Sequence, residues 1–368
     1  MTMYEQFDRK ALQLLDAERA HESALRLLSI ANKAPGAMRA LRRYAPEPDE
    51  RLRVRLWGLP FANPLGVAAG LDKNAVAVKG LLAIGFGHVE VGTVTLRPQP
   101  GNDRPRLWRV PEEKAVINAL GFPSQGAAAV RSRLLGVRPS GIVGVNIGKN
   151  RDVPANESAA EYGSLAQAIG DAASYITVNI SSPNTPGLRS LQMSDELEAL
   201  LQIVTRANKL AAEARKQARR PVLVKIAPDL SREEIEAVAG TAVSAGADGI
   251  IATNTTTIRE GLPDKYRDLP GGLSGPPLRK QANAVVRMLY ETSGGQLPII
   301  GVGGISNAAD VIERMRAGAS LVQIYTAFIY GGPALPGAIL RDLSDFLKRE
   351  GLKSISEIVG SDHDTHHQ

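Results

Sequence analysis

Cysteine is missing from this chain of 368 residues, and aromatic side chains make up only 4% of it. Without cysteine there can be no disulfide, no thiolate metal site and no cysteine nucleophile. No apolar run approaches the roughly 20 residues that a membrane-spanning helix needs. Hydrophobic residues nevertheless form 43% of the chain, enough for one large α/β barrel with an appendage or for two ordinary domains.

The net charge of the chain is +6 at pH 7, and its basic residues are scattered. Nucleic-acid binding favours a clustered basic stripe with interleaved aromatics, so no nucleic-acid partner is predicted. The charge indicates a mild attraction to anionic substrates or lipid headgroups. The polar segment 1–9 does not resemble a secretory signal, and neither a signal nor a transit peptide is predicted.

Residues 4–32 are predicted to form two short amphipathic helices that are separated near Asp16. Apolar residues fall on one side of each, namely Phe7, Leu12 and Leu15, then Ala20, Ala24, Leu27 and Leu28. So small a face cannot form its own core and must pack on the main body, a partner or a membrane surface. The residues favour packing on the main body, but they do not exclude a partner or a membrane surface. A β-hairpin is predicted over 52–62.

Beyond the hairpin, short runs of Val, Ile, Gly and Ala alternate with helical stretches. This pattern predicts an α/β fold, a (β/α)8 TIM barrel of parallel strands with a small N-terminal two-helix extension. A doubly wound open sheet is the less favoured alternative, because the strand count closes at eight. The predicted strands are 65–69, 87–92, 142–147, 175–180, 221–226, 248–252, 298–302 and 320–325.

The hexapeptide NISSPN, 179–184, follows the fourth predicted strand, where a barrel places its active site. Its amides and hydroxyls suit a polar planar ligand, although on their own they are equally compatible with a helix cap. Other polar side chains also follow predicted strands and share this rim: Lys73, Thr93, Asn146, Lys225, Thr253, Asn254 and Thr255.

Glycine-rich segments at 271–275 and 301–304 each precede a helix and are predicted at the exits of the seventh and eighth strands. Backbone N–H groups in such loops bind phosphate. Tight turns are the alternative, since glycine is their default residue. A phosphate site beside small residues and amides suits flavin mononucleotide, FMN, but these features alone do not distinguish it from another phosphorylated cofactor.

A set of longer motifs resembles class 2 dihydroorotate dehydrogenase, a membrane-associated, quinone-reducing flavoenzyme family of pyrimidine synthesis. The motifs occur in the family's order and span the chain from the N-terminal helices almost to the C-terminus. They are AAGLDKN (68–74), EVGTVT (90–95), RPRLWR (104–109), GVNIGKN (144–150), NISSPNTPGLR (179–189), VKIAPDL (224–230), IIATNTT (250–256), GGLSG (271–275), IIGVGGI (299–305) and ASLVQIYTAF (319–328).

The resemblance implies oxidation of dihydroorotate to orotate, with Ser182 as the base at C5 and hydride transfer from C6 to FMN N5. A serine hydroxyl is a weak base, and Thr185 is a candidate relay for its proton. The substrate would be held by Lys73, Asn118, Ala119, Leu120, Gly121, Phe122, Asn179, Asn184, Asn254 and Thr255. FMN would be held by Ala69, Gly70, Leu71, Asp72, Lys73, Thr93, Asn146, Asn179, Lys225, Thr253, Gly275, Gly304, Tyr325 and Thr326.

The resemblance also assigns the N-terminal helices a membrane-facing role as the entrance for ubiquinone or menaquinone, with His21, Arg109 and Tyr325 along the path. The protein would then be peripheral, on the cytoplasmic face of a bacterial-type cell membrane, and it would need no metal. The predicted domains are a helical extension, 1–45, the FMN-binding barrel, 46–352, and a C-terminal tail, 353–368.

One segment departs from the family pattern: residues 118–123 are NALGFP where many relatives have N-R-x-G-F-N. Pro123 has neither an N–H nor a side-chain amide, so one polar contact near the substrate is missing or comes from Ser124. A soluble enzyme using fumarate or a nicotinamide partner is a second hypothesis, but it predicts Cys at position 182 and no helix pair. A phosphate-binding barrel without turnover is a third.

Overall fold

Eight parallel strands close into a barrel in the computed structural model of the chain, which describes residues 16–31, 36–137, 140–185, 187–192 and 194–363. The barrel consists of β3, β4, β7, β8, β9, β10, β12 and β13 in that order, and β13 pairs with β3. The predicted TIM barrel is therefore confirmed, and the open-sheet alternative is wrong. The strands are β1 (Val54–Leu56), β2 (Leu59–Phe61), β3 (Leu65–Val67), β4 (His88–Val94), β5 (Leu107–Val110), β6 (Ala115–Asn118), β7 (Ile142–Ile147), β8 (Tyr175–Asn179), β9 (Val222–Ile226), β10 (Gly249–Ala252), β11 (Gly272–Ser274), β12 (Ile299–Val302) and β13 (Leu321–Ile324).

Helices surround the barrel and cover its outer face. Two of them begin with a side-chain cap: Ser231 and Glu234 form a capping box, and the Asn307 side chain accepts from the Asp310 N–H. The helices are α1 (Ala17–Ala31), α2 (Ala37–Arg42), α3 (Val78–Ala83), α4 (Ala127–Val137), α5 (Ser158–Ile169), α6 (Ser194–Ala214), α7 (Arg232–Ser244), α8 (Arg279–Ser293), α9 (Ala308–Arg316), α10 (Thr326–Gly331) and α11 (Leu335–Arg349).

A three-stranded antiparallel sheet, β5-β6-β11, lies outside the barrel and was not predicted. The segments β5 and β6 belong to the connection after the second barrel strand, whereas β11 belongs to the connection after the sixth. Val110, Ile117 and Leu273 bury their side chains in a small core of their own. The predicted placement of 271–275 and 301–304 after the seventh and eighth barrel strands is therefore wrong. Residues 271–275 lie after the sixth strand, where Gly272–Ser274 form β11, and 301–304 lie at the end of the seventh.

The predicted hairpin is confirmed as β1 and β2, which pair in an antiparallel register. At the other end of the chain, part of the predicted tail packs on the barrel: Ile355 and Ile358 are buried, and the His363 ring stacks on Tyr290 with centroids 4.7 Å apart. The boundaries at 45 and 352 stay predictions.

Helix α1 begins after Asp16, whose carboxylate accepts from the Glu18 and Arg19 N–H groups. The predicted apolar face of this helix is partly wrong. Leu28 packs on the core as expected, but Leu27 is 69% exposed, and Leu25 takes a place in the packed face. The first predicted helix, 4–15, lies outside the described residues. Within the described ranges, no helix combines the length and apolar character needed to cross a bilayer.

We predict opposite effects for two glycine-to-alanine substitutions. A Cβ at Gly66 in β3 would lie 2.1 Å from His88 Nε2, so Gly66→Ala forces the buried ring to move. This overpacking should destabilise the protein by about 1–3 kcal/mol. Gly240 in α7 has open space around it, and Gly240→Ala should stabilise by about 0.5–1 kcal/mol. Urea unfolding of both variants tests the pair; equal midpoints would contradict the tight packing at Gly66.

Candidate active site

A cavity of about 1130 Å³ opens at the carboxyl ends of the barrel strands and is bordered on one side by the three-stranded sheet. It brings together most of the residues that the sequence analysis selected. Those that line it are Ala69, Gly70, Lys73, Thr93, Arg109, Asn118, Leu120, Gly121, Phe122, Asn179, Ser182, Asn184, Lys225, Thr253, Asn254, Thr255, Gly275, Gly304, Tyr325 and Thr326.

Five of the selected residues lie behind the cavity wall and do not line it: His21, Leu71, Asp72, Ala119 and Asn146. The Asp72 carboxylate accepts from the Val76 and Ala77 N–H groups and so shapes the turn. Ala119 contributes backbone hydrogen bonds only, to Arg106 and Asn102.

Ser182 follows β8, is 5% exposed and faces the cavity. Its Oγ accepts a hydrogen bond from the Asn184 N–H at 3.2 Å, and among the described residues none joins it to Thr185. The Asn184 side chain donates to Asn118 Oδ1 at 3.1 Å. Asn184 Oδ1 is buried without a protein partner, so it is a ready acceptor for a ligand N–H group.

Asn179 is held in one orientation by its neighbours. Its Nδ2 donates to Thr93 Oγ1 at 3.0 Å and to Asn146 Oδ1 at 3.1 Å. Its Oδ1 therefore points the other way and accepts from the Asn254 amide at 3.3 Å. A hydrogen-bonded series of amides thus crosses the floor of the cavity.

Glu90, a fully buried carboxylate inside the barrel, fixes the start of this series. Asn146 Nδ2 donates to its Oε1 at 2.9 Å. Its Oε2 accepts from Tyr175 Oη, Thr177 Oγ1 and Gln323 Nε2 at 3.1–3.2 Å. Because Asn146 uses its N–H₂ group on Glu90, its oxygen must face Thr93 and Asn179.

Two lysines supply positive charge to the cavity, and burial lowers the pKa of both. The pKa of Lys73 falls to about 8. Its Nζ donates to the Gly70 carbonyl at 2.8 Å. Burial lowers the pKa of Lys225 as well, while the negative charge of Glu90 opposes that shift and favours the ammonium form.

Arg189 fastens the loop that carries Ser182. Its Nε donates to the Ser181 carbonyl at 3.3 Å and its Nη2 to the Thr255 carbonyl at 3.2 Å. Its Nη1 pairs with the Asp229 carboxylate at 3.0 Å. One guanidinium thereby ties the residue before Ser182 to the sixth barrel strand's exit.

Two residues of the predicted quinone path meet near the cavity. The rings of His21 and Tyr325 have centroids 6.3 Å apart. Burial lowers the pKa of His21 to about 3, with Lys73 adding to the effect, so the imidazole is neutral at physiological pH. Arg109 lies on β5 and lines the cavity.

The structure also answers the question raised by Pro123, which lines the cavity. Ser124 does not replace the missing amide, because its hydroxyl accepts from the Thr95 and Gly126 N–H groups and lies outside the lining. The segment is held instead by Gln99, whose Nε2 donates to the Gly121 and Phe122 carbonyls.

Sequence reasoning missed several residues of the site. Gln323 lines the cavity from β13, and its Oε1 is buried without a protein partner. A polar residue inside an apolar strand was the available signal, and it applies equally to Glu90. Lys114, Tyr266 and Ser274 also line the cavity, from the unpredicted sheet and its surroundings.

Comparison with known proteins assigns the family. The sequence profile of dihydroorotate dehydrogenase matches residues 51–347. The chain belongs to the dihydroorotate dehydrogenase family. A dihydroorotate dehydrogenase (quinone) from Deinococcus deserti is 48% identical over 364 residues, covering 98% of this chain and 100% of that protein. One from Thermobifida fusca is 48% identical over 361 residues, covering 96% and 95%. The resemblance predicted from the motifs is confirmed.

Solved structures of dihydroorotate dehydrogenase from Eimeria tenella share the fold. The complex with ferulenol has a TM-score of 0.87 at 35% identity and covers 99% of both chains. The ligand-free form has a TM-score of 0.86 at 37% identity and covers 95% of this chain and 99% of that one.

Dihydroorotate dehydrogenases are flavin-dependent, and the cavity fits such a group. Gly275 and Gly304 line it with φ of +103° and +75°, and a Cβ on either would meet backbone atoms within 3.0 Å. Two hydroxyls near Gly275, Ser274 Oγ and Thr326 Oγ1, are 2.7 Å apart. Bare backbone and hydroxyls together suit a phosphate. In the described part of the chain, no group of three or more His, Asp or Glu is arranged for a metal.

We expect Glu90→Gln to destabilise the protein by at least about 2 kcal/mol near neutral pH, because a glutamine amide cannot accept from every donor around it. Lys225 also loses the charge that favours its ammonium form, so its pKa falls further. A lysine with a depressed folded pKa costs stability below its ordinary pKa, and the cost fades as pH rises toward 10.5.

Urea unfolding near neutral pH and again toward pH 10.5 measures this effect. Glu47→Gln, at an exposed position, is the control and should change little at either pH. A Glu90→Gln deficit that grows with pH would contradict the assigned role of the Glu90 charge.

Proposed function

We propose that this chain oxidises (S)-dihydroorotate to orotate with a quinone as the electron acceptor, in de novo pyrimidine biosynthesis. The observation that carries the proposal is the cavity in which Ser182 meets two cationic side chains, Lys73 and Lys225, and a set of fixed amides. Such a cavity suits a flat, anionic, amide-bearing substrate beside a flat cofactor.

Substrate recognition is assigned to groups on one side of the cavity. Lys73 binds the carboxylate of dihydroorotate, since an ammonium is the natural partner of a carboxylate. Asn118, Asn184, Asn254 and Thr255 bind the ring amides, and the partnerless Asn184 Oδ1 accepts from a ring N–H group. Backbone from Ala119, Leu120, Gly121 and Phe122 completes the pocket, and Asn179 faces both substrate and cofactor.

Ser182 is the base that takes the proton from C5 of dihydroorotate. Its Oγ already accepts from the Asn184 N–H, which orients the hydroxyl and stabilises negative charge on the oxygen as its own proton leaves. Burial excludes bulk water from this oxygen. The proton leaves by way of water, because no side-chain hydrogen bond from Ser182 to Thr185 is present among the described residues.

The cofactor is proposed to be FMN, which when bound supplies a hydride acceptor for C6 of the substrate. Gly275, Gly304 and Thr326 would hold its phosphate, and Lys225 would stabilise negative charge at the pyrimidine edge of its ring system. Of the remaining predicted contacts, Leu71, Asp72 and Asn146 do not line the cavity, whereas the others do: Ala69, Gly70, Lys73, Thr93, Asn179, Thr253 and Tyr325.

Ubiquinone or menaquinone is proposed to enter beside α1, on the cytoplasmic face of the membrane. The neutral His21 imidazole, Arg109 and the Tyr325 hydroxyl are polar groups for a quinone carbonyl. Support for a membrane surface comes from α1 itself, whose Leu27 and Ile30 are 69% and 61% exposed.

Ser182→Ala is expected to keep the flavin but to lower the rate of flavin reduction by dihydroorotate by about 10²–10⁴-fold near neutral pH, because the base is lost. Anaerobic stopped-flow bleaching of the flavin band gives this rate without any quinone. Ser190→Ala, at an exposed hydroxyl of the same segment, is the matched control and should bleach like the wild type. Equal rates in the Ser182 variant would remove the serine from its assigned role.

Replacing Leu27 and Ile30 together by Ser should weaken binding to vesicles of anionic and neutral lipid by about 10-fold or more, because two exposed apolar anchors are lost. Sedimentation with vesicles measures the binding. The matched control replaces Leu135 and Ile258, two exposed residues outside α1, by Ser. This control should bind the vesicles as the wild type does. Loss of binding in the control alone would contradict membrane contact through α1.

A further inference from the structure

Glu18, in the first turn of α1, is the side chain that attaches this helix to the substrate side of the protein. It is only 8% exposed. Arg106 donates to it from Nη2 at 2.8 Å and from Nε at 3.1 and 3.2 Å. Arg104 adds a contact at 3.2 Å from the solvent side. Burial alone would raise the pKa of Glu18, but the two arginines outweigh it and lower that pKa, so Glu18 is a carboxylate.

Arg106 is also hydrogen-bonded on its other side. Its Nη1 donates to the Pro100 and Asn102 carbonyls at 2.8 and 2.6 Å. A guanidinium is planar and rigid, so fixing one edge on Glu18 fixes the direction of the opposite edge. The position of the Asn102 backbone therefore depends on where Glu18 stands.

Asn102 carries this constraint to the substrate pocket. Its Nδ2 donates to the Ala119 carbonyl at 2.9 Å and to the Asn184 carbonyl at 3.3 Å. The fit is tight, because a Cβ on Gly121 would lie 2.3 Å from Asn102 Oδ1. The pathway Glu18–Arg106–Asn102 thus ends on both segments assigned to the dihydroorotate ring.

The charge of Glu18 also acts on Lys73. Burial, with the positive charge of Arg106 adding to its effect, lowers the pKa of Lys73 to about 8. Glu18 is the strongest of the carboxylates that oppose this shift, followed by Asp72 and Glu22. Removing the Glu18 charge should therefore lower the pKa of Lys73 and reduce its protonated fraction.

We propose that Glu18 is a positioning residue for the dihydroorotate site, acting through Arg106 and Asn102 on the Ala119 and Asn184 segments. The inference rests on the proposed function, since it takes these segments as the substrate pocket. Its consequence is that the helix carrying His21 controls substrate affinity as well as the route for quinone. Displacing α1 would therefore weaken both the binding of dihydroorotate and the access of quinone.

The test is the affinity of oxidised, flavin-loaded enzyme for orotate, measured from the change in the flavin spectrum on titration. Glu18→Gln should raise the dissociation constant for orotate by about 10-fold, whereas Glu22→Gln should leave it within about 2-fold. Glu22 is the matched control, because its carboxylate pairs with the exposed Arg104, its charge acts on Lys73 less than that of Glu18, and its loss leaves the Arg106 contacts intact. With a dye that accepts electrons directly, Glu18→Gln should raise KM for dihydroorotate far more than it lowers kcat.

A pH profile separates positioning from a general loss of structure. Orotate binding should weaken as pH rises through the pKa of Lys73, about 8 in the wild type, because the ammonium is lost. In Glu18→Gln that midpoint should move to lower pH. Glu18→Asp keeps the negative charge but has a shorter side chain. It should therefore restore the midpoint of the pH profile more fully than it restores the affinity for orotate.

Asn102→Asp keeps the Glu18–Arg106 pair but loses both amide donations, so it tests the pathway even if Glu18→Gln folds poorly. It should raise the dissociation constant for orotate as Glu18→Gln does, and the double variant should be less than additive. Wild-type orotate affinity in either single variant, or a change confined to quinone KM, would overturn the proposal. If the wild-type enzyme neither binds orotate nor bleaches with dihydroorotate, the proposed function fails instead.

Discussion

The site depends on one buried negative charge, the Glu90 carboxylate inside the barrel. A carboxylate away from water is tolerated only when its lone pairs are filled, and Asn146, Tyr175, Thr177 and Gln323 fill them. In return, the carboxylate decides which way the Asn146 amide faces and favours a charged lysine at 225. The floor of the cavity is therefore ordered by the barrel before any ligand arrives.

Most of the barrel could be predicted from the sequence, because each strand is a short buried run flanked by a helical pattern. The pairing of β6 with β11 could not, because the paired residues, such as Asn118 and Gly272, lie 154 or more positions apart in the chain. Glycines in 271–275 were equally typical of a turn. The exposed Leu27 was assigned to the packed face of α1, because hydrophobic periodicity locates the apolar face of a helix but not the limits of the part that is packed.

The residues facing the ligands were easier to predict than those behind them. Ser182, Lys73 and Lys225 stand at strand ends, and strand ends meet at one rim in any barrel. The contacts of Arg189 with Thr255 and of Arg106 with Glu18 could not be predicted, because these partners lie 66 and 88 residues away in the chain. Hydrophobic periodicity in a sequence indicates which residues are buried. An ion pair between two distant segments produces no such periodicity and cannot be predicted in this way.

The extra sheet joins two connections that leave the barrel from opposite sides. Its β5 and β6 rise after the second barrel strand and its β11 after the sixth, which are diametrically opposed in a ring of eight. The pairing of β6 with β11 links these two connections beside the cavity, and Arg109, Asn118 and Ser274, which line the cavity, belong to this sheet. A shift of β6 would therefore carry β11 with it, because the two strands are hydrogen-bonded to each other although they follow opposite strands of the barrel.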